Sequence, residues 1–388
     1  MKKSLIAFAV LSAFAASASA QSNVTVYGII DAAVMYNTNQ TATGGNKLTL
    51  DAGQLLTSRW GIKGSEDLGG GTKAIFNLEG TLANDTGAAG AGFGGNSFTQ
   101  AGSGTSLFDR LSWVGLSGDF GTVTAGRNNI LGVDSVGLAD PMGLAHAGSN
   151  PNVMFSALNA GSLFGGFGTN QGGTALRQDN SIKYVSPFQN MNGFGVGLMY
   201  GAGEQAGNVA ASRYMGASAF FTDGKNGAAV SYAKLNDSTS NATLSGLALG
   251  LKYYVTPEVK LNFTYAQTQV DGKILIPVSA TLALNADQRK IVVIGAGVDY
   301  SLSQQSTITA AYYDTKRSGD VGGLLDGKAD QYVLLGKYAL SKRTTAYASL
   351  TYAKAGSANS QDTSLALGII AAGNSSAVRS AVGVLHSF

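Results

Sequence analysis

Alternation of apolar and polar residues, sustained from residue 24 to the C-terminus and interrupted by glycine-rich connectors, most narrows what this chain can fold into. In VTVYGIIDAAVMYN, Val24, Val26, Gly28, Ile30 and Ala32 share one parity while Thr25, Tyr27 and Asp31 hold the other, the mark of a strand with two unlike faces. SRWGIKG sets Arg59, Gly61 and Lys63 against Trp60 and Ile62. TKAIFNLEG sets Lys73, Asn77 and Glu79 against Ala74, Phe76 and Leu78, and the turn EDLGGG between them makes a hairpin. The same reading predicts strands near 108–117, 122–129, 177–187, 193–202, 211–223, 226–235, 244–256, 258–270, 288–302, 306–317, 330–341, 344–355 and 376–388, roughly 16 in all.

The first twenty residues stand apart. Lys2 and Lys3 precede an apolar run that closes on Ser17, Ala18, Ser19 and Ala20, the pattern of a secretory signal peptide cleaved after Ala20, which leaves 21–388 as one domain. Beyond it no run of 18 apolar residues occurs, which excludes membrane helices. Charged residues make up 13% of the chain and mean hydropathy is +0.09, whereas an ordinary soluble domain carries about 25% charged residues. An exported chain that must span a membrane without helices has one route, a closed sheet, because every backbone polar group in hydrocarbon must be paired internally. The connectors agree: SGDFG, TDGKNG, TPE and LSKR are short, whereas 83–107, 130–176, 202–210, 236–243, 271–287, 318–329 and 356–375 are long. Short periplasmic turns and long outer loops are the asymmetry of a transmembrane antiparallel β-barrel, an all-β fold. Tyr253, Tyr254, Tyr312, Tyr313 and Tyr338 fall near strand ends, where aromatic girdles form. In the final strand Val378, Val382, Val384, His386 and Phe388 share one parity, which makes Phe388 the last lipid-facing residue.

These segments resemble the general porins of Gram-negative outer membranes, in their beta-proteobacterial branch: VTVYGIIDAAV, SRWGIKGSEDLGGGTKAIFNLE, FDRLSWVGLSGDFGTVTAGRN, NSIKYVSP and the terminal Phe. The resemblance spans essentially the whole mature chain. It implies a homotrimer of 16-stranded barrels whose third outer loop folds into the lumen and narrows it, and an outer-membrane setting among lipid and lipopolysaccharide. It also implies that Phe388 is an assembly signal read by the outer-membrane assembly machinery. By motif it marks Arg59 in S-R-W-G, Arg110 in F-D-R and Arg127 in T-A-G-R, with Asn128 where the family usually writes Gln.

A water-filled barrel selects by width and by the charges at its narrowest point. Arg59, Lys63, Lys73, Arg110, Lys183 and Arg379 lie on the parity opposite an apolar face and are candidates for the lumen. Asp134 and Asp140, in the long loop spanning 130–176, could face Arg59, Arg110 and Arg127 and set up a transverse field, or could be turn formers. The expected function is passive diffusion of small hydrophilic solutes with a weak to moderate preference for anions, and no cofactor or metal is required. A substrate-specific channel for sugars, phosphate or organic anions is a second reading, disfavoured because 130–176 contains no Lys and only Phe155, Phe164 and Phe167 as aromatics. An outer-membrane enzyme is a third, but with two histidines, His146 and His386, and Cys 0 the chain has little to build a catalytic site from. G-G-L-L-D-G-K-A at 322–329 lacks the Ser or Thr of a phosphate-binding loop. The formal charge of +3 falls to +1 without Lys2 and Lys3, which gives no basic surplus for nucleic acid.

Overall fold

The computed structural model describes residues 23–89, 107–144, 177–187, 192–204, 206–236, 243–271, 274–277, 283–286, 290–319, 326–366 and 368–388. The leader, His146 and Phe155, Phe164 and Phe167 lie outside them. In chain order the strands are β1 (Asn23–Asn37), β2 (Lys47–Ala52), β3 (Arg59–Gly69), β4 (Thr72–Ala83), β5 (Ala88–Ala89), β6 (Leu111–Gly118), β7 (Gly121–Asn129), β8 (Arg177–Val185), β9 (Asn192–Gly201) and β10 (Tyr214–Asp223). They continue as β11 (Gly227–Asn236), β12 (Thr243–Tyr254), β13 (Val259–Asp271), β14 (Ile274–Pro277), β15 (Ala283–Ala286), β16 (Lys290–Ser301), β17 (Ser306–Ser318), β18 (Gly327–Ala339), β19 (Thr344–Ala355) and β20 (Ser376–Ser387). Two short helices, α1 (Leu131–Gly137) and α2 (Ser360–Ser364), lie in the loops after β7 and β19.

Every wall strand pairs antiparallel with its neighbours in sequence, and the ring closes where β20 pairs with β1 from Ile29–Ser387 to Asn37–Arg379. With β2 and β3 counted as one interrupted strand, and with β5 and the β14–β15 hairpin set aside as loop structure, the barrel has the 16 strands that the sequence predicts. Closure leaves no unpaired edge, the condition for a sheet in hydrocarbon. At the seam, Gly28 and Phe388 exchange both backbone hydrogen bonds, 3.2 and 3.1 Å. A Cβ on Gly28 would stand 2.3 Å from the Phe388 ring, so the terminal aromatic lies over a residue without a side chain.

The alternation sorts the two faces as expected. Val24, Val26, Val34, Val382 and Val384 are exposed on the outside, where lipid would cover them, whereas Asp31, Ala33, Met35, Ala377 and Ala381 are buried inwards. Fifteen residues of β1 need a partner along their whole length, and β3 supplies it only from Asn23 to Ile29. β2 takes over from Ala32 to Asn37, a pairing the sequence reading missed because KLTLDA is too short to carry a clear period.

Between β2 and β3 the chain leaves the wall at 53–58 and is tied down by Asp31. Its carboxylate accepts from Leu55 N at 2.5 Å, Leu56 N at 2.8 Å and the Tyr347 hydroxyl at 2.6 Å, while the Asp31 amide donates to Ser58 Oγ at 2.9 Å. Removing a buried acceptor leaves each donor without a partner. Asp31→Ala is therefore expected to cost roughly 3 kcal/mol or more, seen as a lower temperature for the folded-to-unfolded band shift on gels; an unchanged temperature would contradict this role.

Candidate functional site

On the inner wall formed by β3 to β8, arginines and carboxylates interlace. Arg110, just ahead of β6, is buried and ion-paired through Nε to Glu79 Oε1 at 2.6 Å. Glu79 Oε2 also accepts from the Tyr27 hydroxyl at 3.0 Å, and Lys63 lies over the Tyr27 ring at 5.0 Å. Asp109 accepts from the Thr81 amide and hydroxyl, both at 2.7 Å. Arg127 donates to the Asp109 carbonyl at 2.6 Å and pairs with Asp179. Arg177 is buried within electrostatic range of Arg110 and Arg127.

Arg127 reaches this group through a defect in the ladder. Ala125 is exposed on the outer face, and strict alternation would turn Arg127 outwards as well. The pairing of β7 with β8 shifts register between Gly126 and Asn128, a bulge of the kind that re-aims a side chain. The extra residue lies on β8, where three steps from Gln178 to Ser181 face two from Gly126 to Asn128, and Asn180 within it has φ +52°; Gly126, at φ +131°, lies so close to β6 that a Cβ would meet the Ser112 carbonyl at 2.3 Å. Asn128, on the inward parity of Thr124, accepts from Thr124 Oγ1 at 2.8 Å and donates to Ser181 Oγ at 3.2 Å.

Arg59 differs from its neighbours. Its Nε donates to the Thr57 carbonyl at 2.8 Å, so the excursion held by Asp31 aims it, and it makes no ion pair among the described residues. Arg110 and Arg127 are each ion-paired to a carboxylate, whereas Arg59 lies within electrostatic range of Glu79 and Arg110 without a direct ion pair among the described residues.

The loop after β7 runs along the inner wall, where α1 packs on β10, β11 and β12. Leu131 and Val136 are fully buried in a cluster that includes Met142, Met199, Ala248 and Tyr313. The wall makes room with glycine: a Cβ on Gly250 would stand 2.3 Å from the Ser135 carbonyl, and one on Gly297 would stand 2.5 Å from Pro141 Cβ. Asp140 fastens the loop, accepting from the Tyr313 hydroxyl at 2.8 Å and from Leu144 N at 2.7 Å. Met142 N donates to the same Tyr313 oxygen at 3.3 Å. Asp134 points elsewhere, ion-paired to Lys183 at 2.5 Å with its side chain 48% exposed.

The residues singled out from the sequence thus fall into three places. Arg59, Arg110 and Arg127 are brought together on one wall. Asp134 and Lys183 pair with each other and Asp140 is taken up by Tyr313, so among the described residues neither aspartate bonds to the arginines. Lys63 and Lys73 are exposed near the β3–β4 turn. Arg379 is buried under the last loop, donating to Asn37 Oδ1 at 2.7 Å and to the Gly368 carbonyl at 3.2 Å. Sequence reasoning set Glu79 on one face with Lys73 without marking it for the site, and it passed over Arg177, which the extra residue in β8 separates from the alternation of Lys183. His386 is exposed on the outer face beside Thr344, 2.9 Å from its hydroxyl.

A family model described as Gram-negative porin matches residues 7–358. The chain belongs to that family. This porin is 32% identical to outer membrane porin protein 32 of Delftia acidovorans over the full length of both chains. It is 29% identical to an outer membrane porin protein of Bordetella pertussis, covering 91% of this chain and 94% of that one. Among solved structures it is similar to the anion-selective porin from Comamonas acidovorans, with a TM-score of 0.74 and 26% identity over 95% of this chain and 100% of that one. The porin resides in the bacterial outer membrane, and its family and fold are those of channels.

Burial pushes the Asp140 carboxyl up from its ordinary 3.8 to about 6, the hydrogen bonds from Leu144, Tyr313 and Met142 opposing it. The docked carboxyl therefore holds its proton at a higher pH than an undocked one would. Docking tightens as pH falls from above 6 towards 4 and loosens as pH rises through that window. Loop-derived noise in the open-channel current is expected to fall between about pH 7 and pH 5, and Asp140→Asn should abolish that dependence; noise unchanged by pH in both proteins would contradict it.

Proposed function

We propose that this porin forms a water-filled pore for passive diffusion of small hydrophilic solutes, with a weak to moderate preference for anions. The observation that carries the proposal is Arg59, a guanidinium held at the lumen wall without a carboxylate partner among the described residues. Arg110 and Arg127 frame it while their own charges are offset by Glu79 and Asp179. A ring of cations at a narrow aqueous passage attracts anions, and low-dielectric walls focus that field. Lys63, Lys73 and Lys183 extend the positive lining towards the periplasm, Asp134 offsets Lys183, Asp140 holds the loop in place, and Arg379 braces the last outer loop.

The working unit is a homotrimer, as the family resemblance implies. The mature chain starts after Ala20, and Phe388 serves as the signal for the assembly machinery. The similarity to an anion-selective porin supports the sign of the preference.

In planar bilayers, with a salt gradient across the membrane, the wild-type reversal potential is expected to favour chloride. Arg59→Glu should move it towards or past zero with single-channel conductance retained, because the substitution reverses a charge on the wall without removing the loop. Arg110→Gln should move it less, since it changes the wall charge by one unit where Arg59→Glu changes it by two. A wild-type potential that favours potassium would overturn the proposal.

A further inference from the structure

Beneath α1 the inner wall holds a cavity of about 310 Å³, lined by none of the arginines described above and at the small end of the size range of small-molecule sites. Its roof is one side of the helix, Leu131, Ser135 and Leu138. Its floor is Ser218, Phe220 and Thr222 of β10 with Ala229 of β11, and it reaches the turn at Gly224. Glycines on the inward parity make the room. A Cβ on Gly197 would stand 2.9 Å from Leu131 Cδ2, one on Gly227 would stand 3.2 Å from Leu138 Cδ2, and one on Gly195 would stand 2.2 Å from the Phe220 ring. The wall meets α1 and Phe220 at these bare positions and leaves a hollow beside them.

Two charged groups line the cavity, and they are not equivalent. Asp134 is ion-paired to Lys183 at 2.5 Å. Lys252, half-buried on the inward parity of β12, stands opposite Gly227 in the ladder and makes no ion pair among the described residues. A Cβ on Gly227 would lie 3.2 Å from Lys252 Cε, so the lysine stem runs over that bare residue beside Leu138. Its ammonium brings three donors to the cavity. Thr222 Oγ1 accepts from Gly224 N at 3.0 Å, which leaves its O–H free to donate as well. Leucines above, a phenyl ring below and one unmatched cation suit a small molecule with a flat apolar body and a single negative charge. A neutral molecule of the same shape would leave the ammonium unmet. A dianion would set its second carboxylate against the leucines or beside Asp134, where no cation is free, at a large desolvation cost.

We propose that this cavity is a binding site for aromatic monocarboxylates of about the size of benzoate. The carboxylate is held by the Lys252 ammonium and the Thr222 hydroxyl, and the ring lies between Phe220 and the leucines of α1. A solute reaches the cavity from the lumen, so the inference rests on the water-filled pore proposed above, but it does not depend on Arg59 setting the ion preference.

The test uses the full mature protein refolded in detergent micelles, with 4-fluorobenzoate as the probe and fluorine NMR as the readout, each spectrum set against protein-free micelles. Wild-type protein is expected to broaden the probe line saturably, and more than it broadens the lines of uncharged 4-fluorobenzamide or doubly charged fluoroterephthalate. Lys252→Gln should weaken binding about tenfold or more, because it removes a charge-assisted hydrogen bond, whereas Lys252→Arg should retain it. Arg59→Gln should leave binding unchanged, which separates this site from the arginine wall. Equal broadening of the benzoate and the benzamide by the wild type would overturn the proposal without depending on how any variant folds. Binding lost in Arg59→Gln and kept in Lys252→Gln would overturn it by placing the carboxylate at the arginines. Stepwise conductance in bilayers without saturable binding in micelles would overturn this site and leave the pore reading standing, whereas saturable binding by a protein that conducts nothing would support the site and remove the pore reading.

Discussion

The structure depends on one constraint: no backbone amide or carbonyl that faces hydrocarbon can go unpaired. A single chain meets it with strands only by bringing its two ends together, and the β1–β20 seam does this along nine register pairs from Ile29 to Asn37. Once the ring is closed, the period-two alternation has only one arrangement available, apolar residues to lipid and polar or small residues inwards. The interior is then a polar space that the outer loops can occupy, and the chemistry of the pore follows from how they do so.

Two inward devices set that interior. Asp31 and Tyr347 pin the 53–58 excursion, which aims Arg59 through the Thr57 carbonyl. Asp140 and Tyr313 pin the loop after β7, whose helix rests on wall positions kept bare of side chains at Gly250 and Gly297. Each joins a carboxylate to a tyrosine hydroxyl far away in sequence, 316 residues apart in the first case and 173 in the second. Both are buried, so each fixes its loop more firmly than a solvent-exposed contact of the same length would. The charge balance of the candidate constriction depends on them, because they decide which ionic groups are matched and which face water.

What was legible in the sequence was whatever repeats every second residue. The barrel, its strand number, the seam and the inward side of Arg59, Lys63 and Lys183 all follow from parity. Arg127 does not, because the β8 ladder opposite it carries an extra residue between Gln178 and Ser181, and only the resemblance of T-A-G-R to the family motif marked it. β2 escaped because six residues are too few to show a period, and Arg177 was passed over because the extra residue between Gln178 and Ser181 puts it out of step with Lys183. The partners of Asp31 and Asp140 could not be read at all, since closing the ring brings together residues that no local pattern relates.

The anion preference proposed for the pore rests on Arg59, a cation on the wall with no direct ion pair among the described residues, and not on the loop after β7. Anomalous scattering from crystals of the folded protein soaked in bromide would locate anions in the pore directly. A bromide site in contact with the Arg59 guanidinium is expected, and it should disappear in Arg59→Gln. Bromide elsewhere in the lumen and none at Arg59 would contradict it.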